Sequence, residues 1–137
     1  MLFRICQIVL SGLLITAAVA KLLYMQSVRD TAVQVYGVPA QVSTASVIAI
    51  LLVEGAVAIS TLRARGRSRW PFLGALALSS AFVVTHVVLT HRGDNRSCGC
   101  VEVGAWTLPP AAGLVLSVSM FLLSVYLLVG GKDAVNA

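Results

Sequence analysis

The side chains best suited to chemistry in this sequence are two cysteines separated by one glycine, Cys98-Gly99-Cys100. One intervening glycine lets the chain bend so that the two sulfur atoms can approach. The resulting ring is small and strained, and strained disulfides are reduced more easily than relaxed ones. The motif is therefore typical of a redox-active dithiol. A static disulfide, a soft-metal site and a pair of loop cysteines without a chemical role remain alternatives.

Charged residues near the cysteine pair indicate how it would react. Arg92 and Arg96 precede Cys98 by a few residues, and positive charge favours the thiolate, which is the nucleophile in exchange. Asp94 and Glu102 carry negative charge, which favours the neutral thiol over the thiolate. We favour Cys98 as the attacking cysteine because it is nearer to Arg96.

Two histidines could accept or donate the proton that exchange requires. His91 lies at the predicted outer end of a helix, and His86 lies about 7 Å deeper at the rise of an α-helix. Their spacing places them on different faces of that helix. The candidate catalytic set is Cys98, Cys100 and His86. The alternative for His86 is a hydrogen bond to a threonine or to the backbone inside the protein, and for His91 it is a solvated helix end.

The composition around these residues indicates a membrane protein. Hydrophobic residues make up 58% of the 137 residues and charged residues only 11%, whereas a soluble domain carries about 25% charged residues. The formal net charge of +5 would suggest nucleic-acid binding in a soluble protein, but here the basic residues flank apolar runs. The composition argues against a water-soluble domain and excludes a disordered or collagen-like chain.

Four apolar runs are each long enough to cross a bilayer, which takes roughly 20 residues. Because lipid cannot satisfy backbone hydrogen bonds, these runs are predicted to be helices. Their short connections make successive helices antiparallel neighbours. The sequence therefore predicts an all-α, integral membrane four-helix bundle with up-down topology, in a single domain over residues 1–137. The helices are placed near residues 5–25, 43–62, 70–90 and 108–129.

Two local patterns refine this arrangement. The first connection, residues 26–42, is predicted to be a loop that contains the turn signal Tyr36-Gly37-Val38-Pro39. In the first helix, Gly12, Thr16 and Ala20 share one face. Small residues let helix backbones approach closely in membranes, so this face is expected to contact another helix.

The distribution of basic residues predicts the orientation in the cell (inner, cytoplasmic) membrane. Basic residues are concentrated on the cytoplasmic side of membrane proteins, so both termini and the second connection are predicted to be cytoplasmic and the cysteine loop to face outside. The residues that carry this prediction are Arg4, Arg63, Arg65, Arg67, Arg69 and Lys132. Residues 1–20 also resemble a signal peptide with Ala18-Val19-Ala20 as its cleavage site, but the apolar run continues past Lys21, which favours an uncut span.

Two charged residues, Lys21 and Glu54, fall inside predicted spans. An intramembrane carboxylate usually faces the interior of a bundle. Glu54 lies roughly 10 Å deeper than Lys21 at the helical rise, so the two side chains could pair, or Lys21 could extend to the membrane surface. A polar pin between helices is slightly favoured over a proton or partner site. Cys6, near the cytoplasmic end of the first helix, is interpreted as a small apolar filler.

Four segments of the chain together resemble the MauE family of methylamine-utilisation membrane proteins, within the DoxX-like group. They occur in the family's order and rough spacing: Ala20-Lys21-Leu22, Tyr36-Gly37-Val38-Pro39, Glu54-Gly55 and Cys98-Gly99-Cys100. The resemblance implies a four-helix membrane protein that works beside a thioredoxin-like partner. It also implies a role in the maturation of exported disulfide-containing proteins, such as the small subunit of methylamine dehydrogenase.

The expected function is therefore thiol–disulfide exchange, and the enzyme class, if the protein is catalytic, is thiol–disulfide oxidoreductase. Electrons could pass to a quinone in the membrane, although the sequence shows no quinone site, or the protein could relay them between soluble partners. Two other classes stay open: a non-catalytic subunit or assembly factor of a membrane complex, and a membrane protein that binds a soft metal such as copper.

Overall fold

The structure is a computed structural model that describes residues 2–64, 68–92 and 110–130, together with the backbone of 102–103 and 106–107. In these residues the chain forms five helices and two short strands. The helices are α1 (Leu2–Leu23), α2 (Met25–Tyr36), α3 (Ala40–Arg63), α4 (Trp70–His91) and α5 (Pro110–Gly130). The strands β1 (Glu102–Val103) and β2 (Trp106–Thr107) pair in antiparallel fashion, with Glu102 opposite Thr107 and Val103 opposite Trp106.

Four of the helices could cross a membrane by length and composition: α1, α3, α4 and the Ala111–Gly130 part of α5. A helix of 22 residues, such as α1, is about 33 Å long, close to the roughly 30 Å hydrocarbon core of a bilayer. This confirms the predicted all-α fold class with four apolar helices. The predicted bounds differ from the observed ones by three residues at most, and the predicted and observed starts of α4 coincide.

The four long helices form a ring. α1 packs against α3 and α5, and α4 packs against the same two helices, so α1 lies opposite α4. Gln7, near the start of α1, donates hydrogen bonds to the carbonyl oxygens of Thr61 and Ala64 at the end of α3. At the same end, the ring of Phe3 contacts that of Phe72 in α4. Successive long helices are therefore antiparallel, as the up-down prediction requires. We call this end of the bundle the N-terminal end.

The opposite end of the bundle carries α2, which lies within residues 26–42, where the sequence predicts a loop. That prediction is wrong for most of the segment. Half of the positions in α2 are polar, so it lacks the apolar run that marks a span, but it buries Val28 while Arg29 and Asp30 stay exposed. It packs mainly on α3 and also contacts α1 and α4. We call this end the α2 end.

The predicted turn between α2 and α3 is present. α2 ends at Tyr36, and Gly37 adopts a left-handed conformation with φ 65°. Glycine is the residue that adopts this conformation without steric cost. Its N–H donates to the Ala32 carbonyl oxygen, and α3 begins directly after Pro39.

The bundle buries polar side chains and exposes many apolar ones. The exposed face of α3 includes Leu52, which is 69% exposed. Apolar surface of this kind is compatible with lipid and costly in water. The buried polar and charged residues are Gln7, Ser11, Lys21, Ser43, Glu54, Thr61, Ser79, Thr85, His86, Ser117 and Ser124. The polar groups of the described helices thus face one another, as expected inside a membrane.

The predicted small-residue contact face on α1 is wrong at Gly12 and Thr16, whereas Ala20 is buried. Gly12 and Thr16 are exposed, and the Thr16 hydroxyl donates to the Gly12 carbonyl oxygen of its own helix. The buried face of α1 instead carries Gln7, Ser11 and Lys21. Exposure of a polar side chain to lipid costs more free energy than close packing of small residues gains. The polar side chains therefore determine which face of α1 points inward.

Candidate functional site

Lys21 and Glu54 form a buried ion pair between α1 and α3. Lys21 Nζ lies 2.5 Å from Glu54 Oε1, and the two side chains are 4% and 0% exposed. The ammonium group also lies over the ring of Phe82 in α4, 4.1 Å from its centroid. A cation over an aromatic face is stabilised by the quadrupole of the ring. Three helices thus meet at one charged group.

The two side chains meet although their backbones lie at different depths. From the contact of Gln7 with Thr61 and Ala64, Lys21 lies about 21 Å along α1 and Glu54 about 10–15 Å along α3 at the helical rise. Side chains in a helix lean toward its N-terminus. Because α1 and α3 are antiparallel, Lys21 leans deeper into the bundle and Glu54 leans toward the α2 end. The two side chains close the gap between the backbones.

His86 is buried in α4, and two polar groups lie near its Nδ1. Its Nδ1 lies 2.9 Å from the carbonyl oxygen of Phe82, one turn earlier, and 3.4 Å from the Ser117 hydroxyl of α5. The Ser117 hydroxyl donates to the Gly113 carbonyl oxygen at 3.0 Å. His86 is therefore hydrogen-bonded inside the bundle, as in the structural alternative, and it faces α5.

Phe82 connects the ion pair to the imidazole, since its ring contacts Lys21 and its carbonyl group contacts His86. We call Lys21, Glu54, Phe82, His86 and Ser117 the polar core cluster. Sequence analysis missed Phe82 and Ser117. The spacing of Phe82 and His86 on one helical face was a usable signal. The contact of Ser117 with His86 depends on how α4 and α5 pack, and the sequence pattern does not fix that.

Two contacts join α2 to the end of α4. The hydroxyl groups of Tyr36 and Thr85 are hydrogen-bonded to each other. Arg92 donates from Nη1 to the carbonyl oxygen of Gln34 at 3.3 Å. One turn of α4 thus carries both His86, which faces α5, and Thr85, which faces α2. The α2 helix is fixed directly beside the point where the chain leaves α4 toward the cysteine pair.

His91 does not join the polar core cluster. It is exposed at the end of α4 and borders a cavity of about 380 Å³ together with Val87, Thr90 and Leu114. This position corresponds to the solvated helix end named as its alternative. Cys6 is half-buried with a free thiol and packs against the hydrophobic core.

The predicted catalytic cysteines, Cys98 and Cys100, lie outside the described residues. Their flanking anchors are described: α4 ends at His91, and β1 begins at Glu102, two residues after Cys100. β1 contacts α1. Among the described residues, no group of three or more His, Cys, Asp or Glu side chains could hold a metal ion.

One of three comparisons with known proteins found a match. A search of curated proteins and a search of solved structures each found no significant match. A family model described as methylamine utilisation protein MauE matches residues 1–130. The match includes all four apolar helices, the buried ion pair and the cysteine motif. Because it spans nearly the whole sequence, this membrane protein belongs to the MauE family.

Proposed function

We propose that this MauE-family protein performs thiol–disulfide exchange through Cys98 and Cys100, with a thioredoxin-like or exported partner, and so supports the maturation of disulfide-containing proteins. The observation that carries the proposal is the position of the anchors on either side of the cysteine pair. α4 ends at the α2 end of the bundle, where Arg92 is bonded to Gln34 of α2. After the pair, β1 and β2 lead into α5, which begins at the same end.

The exchange itself needs two thiols and no metal. One cysteine thiolate, for which Cys98 is favoured, attacks a sulfur of the partner's disulfide and displaces a partner thiolate, so that a mixed disulfide forms. The Cys100 thiolate then attacks the Cys98 sulfur and releases the second partner thiolate. The partner is reduced by two electrons and the Cys98–Cys100 pair is oxidised by two. The reverse sequence oxidises the partner.

The same proposal includes an orientation, with the α2 end outside the cytoplasm. Arg4, Arg63 and Arg69 are exposed at the N-terminal end, and basic residues favour the cytoplasmic side. At the α2 end, the exposed arginines of the described residues are Arg29, which is followed directly by Asp30, and Arg92. Outside the cytoplasm disulfides persist, as a cycling disulfide requires.

The polar core cluster contributes structure to this function. It joins α1, α3, α4 and α5 by an ion pair, a cation–ring contact and hydrogen bonds. Such contacts hold the ends of α4 and α5 in a fixed relation, and those ends flank the cysteine segment. We therefore assign Lys21 and Glu54 a role in supporting the site, and His86 the proton transfer.

Thiol trapping in intact membranes tests the proposal. The Cys6→Ser variant leaves two cysteines, and a bulky, membrane-impermeant maleimide is applied before and after mild reduction. We expect Cys98 and Cys100 to react only after reduction and from the outer side. Immediate and complete reaction of both, with no oxidant able to close them, would contradict redox cycling. Reaction from the cytoplasmic side alone would overturn the orientation.

Two further outcomes separate the proposal from the alternative functions. If the double variant Cys98→Ser, Cys100→Ser still supports maturation of the partner, the protein is an assembly factor. If the purified protein holds stoichiometric copper that this variant loses, it is a metal-binding protein. The terminal acceptor is tested separately, because quinone that co-purifies with the protein and is reduced by its dithiol would identify a membrane acceptor.

A further inference from the structure

We propose that His86 is held as the Nδ1–H tautomer, with Nε2 as its proton-accepting atom, and that Gly113 is the positioning residue that fixes this orientation. The tautomer and the role of Gly113 stand on the geometry of α4 and α5 alone. The consequence for thiol chemistry rests on the proposed function. The two parts are therefore tested by different measurements.

The neighbours of Nδ1 determine the tautomer. The Phe82 oxygen, at 2.9 Å from Nδ1, is a carbonyl oxygen and can only accept a hydrogen bond, so Nδ1 must carry the hydrogen. The Ser117 hydroxyl already donates its hydrogen to the Gly113 carbonyl oxygen and presents lone pairs to Nδ1. Both groups near Nδ1 thus act as acceptors. In the neutral ring, the lone pair lies on Nε2.

The backbone of Gly113 lies close to the other side of the ring, at Nε2. A Cβ atom built on Gly113 would lie 2.4 Å from His86 Nε2, closer than real Cβ atoms approach other atoms, and 3.0 Å from Cδ2. The imidazole is therefore pressed against the backbone of the first turn of α5. A Cβ at position 113 would require the ring or the α5 backbone to shift, and a shift of the ring would disturb its hydrogen bond to the Phe82 carbonyl group. Glycine is needed here for close approach rather than for backbone conformation.

The other helical glycines do not have this property. A Cβ on Gly74, also in α4, would meet the apolar side chain of Val57 at 3.0 Å, and Gly12 and Gly55 have no such neighbour within 4 Å. Gly74 is a matched control because it also lies where two helices touch, but it does not touch a titratable group.

This orientation suits proton transfer at the α2 end. Nε2 lies beside the first turn of α5, and His86 lies about 9 Å along α4 from Arg92, where the chain continues to Cys98. When a cysteine thiol becomes a thiolate, its proton moves to Nε2, directly or through water. The imidazolium keeps its Nδ1–H bond to the Phe82 carbonyl oxygen, which stabilises the positive charge. No electrons are transferred in this step.

Nitrogen NMR of the imidazole tests the tautomer. The chain has two histidines, so His91→Gln leaves His86 as the one imidazole of full-length protein labelled with 15N-histidine in detergent. Free neutral imidazole side chains favour Nε2–H. We expect the opposite pattern, with the hydrogen on Nδ1. A hydrogen on Nε2, alone or on both nitrogens at neutral pH, would overturn the proposal whatever the cysteines do.

Substitution of Gly113 tests the positioning role. In His91→Gln protein, Gly113→Ala is expected to abolish the uniform Nδ1–H signal, whereas Gly74→Ala should leave it unchanged. An unchanged signal in Gly113→Ala, or an equal loss in Gly74→Ala, would contradict the role of Gly113. If Gly113→Ala does not fold, His86→Ala provides the test, because it removes the ring that the new methyl group would meet. The double variant His86→Ala, Gly113→Ala should then fold as well as His86→Ala alone, and a double variant that still fails to fold would contradict the role of Gly113.

The functional consequence has its own readout. In Cys6→Ser protein after reduction, the pH profile of maleimide alkylation at Cys98 and Cys100 should shift with Gly113→Ala and not with Gly74→Ala. Identical profiles would show that Nε2 plays no part in thiol deprotonation. If the cysteines never cycle, the proposed function fails while the NMR result on tautomer and positioning still stands.

Discussion

Charged and titratable side chains are buried in this protein where an ion-pair or hydrogen-bond partner is available to them. Lys21 and Glu54 lie in the interior because each neutralises the other, and His86 lies there because carbonyl and hydroxyl groups surround its Nδ1. A buried ion pair gains little over an apolar pair of the same size, but a single buried charge is costly. This asymmetry determines how variants at the pair should behave.

Replacement of Lys21 by methionine should therefore destabilise the folded protein more than replacement of both Lys21 and Glu54. Lys21→Met leaves the Glu54 carboxylate without its ammonium, and we expect the free energy of unfolding to fall by about 3–5 kcal/mol. For Lys21→Met combined with Glu54→Leu, the free energy of unfolding should fall much less. Denaturant unfolding of the purified protein in mixed micelles measures both. Equal losses in the single and double variants would show that the pair does not act as a unit.

Sequence analysis identified most of the polar core cluster but not its geometry. Lys21, Glu54 and His86 stand out because charged and titratable residues are rare in apolar runs. Helical rise alone left the pairing of Lys21 with Glu54 open, because it ignores the lean of each side chain. The partners Phe82 and Ser117 are ordinary residues whose importance arises only from helix packing.

At the scale of elements, the short helix α2 is an addition to the four membrane-spanning helices of the bundle. It has 12 residues, and an isolated helix of that length is marginal in water. Its sequence lacks the length and apolar content of a span, so the pattern predicted a loop. Packing on α3 and the hydrogen bonds at Tyr36 and Gln34 stabilise it. Long helices were predictable because each is a continuous apolar run, whereas α2 depends on tertiary contacts.

The end of α2 depends on the left-handed conformation of Gly37. Gly37→Ala should destabilise the folded protein by about 1–2 kcal/mol, the cost of that conformation for a residue with a Cβ. Gly12→Ala is the matched control, since Gly12 is helical with no side-chain neighbour within 4 Å, and it should be neutral or slightly stabilising. Thermal unfolding in detergent compares the two. A larger loss for Gly12→Ala would contradict the assigned role of Gly37.

At the scale of the whole molecule, the apolar exterior requires a lipid environment. Charge introduced on that exterior should be costly in the middle of a span and tolerated near its end. Leu52→Arg places a charge at the centre of α3, where it costs about 2.5–3.5 kcal/mol, whereas Gln41 is exposed in the first turn of α3. We expect the yield of membrane-integrated protein to fall for Leu52→Arg and not for Gln41→Arg. Similar yields would contradict a lipid-facing position for Leu52.

Composition and apolar run length predicted this global arrangement, because a bilayer restricts the choice of structure more than water does. The face that each helix turns inward was less predictable. On α1 the small residues suggested one face, and the polar residues Gln7, Ser11 and Lys21 determined another. The rotation of each span thus follows its few polar side chains.

The position of the ion pair also has a consequence for biosynthesis. Lys21 precedes Glu54 by 33 residues, so at 5–20 residues per second a ribosome adds the carboxylate about 2–7 s after the ammonium. During that interval a lysine in the middle of a span would face lipid without a counter-ion. Lys21 lies in the last turn of α1, where its flexible side chain can place the ammonium group among the lipid headgroups until Glu54 is inserted. Once α3 is inserted, the Lys21 side chain can turn inward to Glu54. Formation of the ion pair therefore requires that the first two spans, α1 and α3, have assembled.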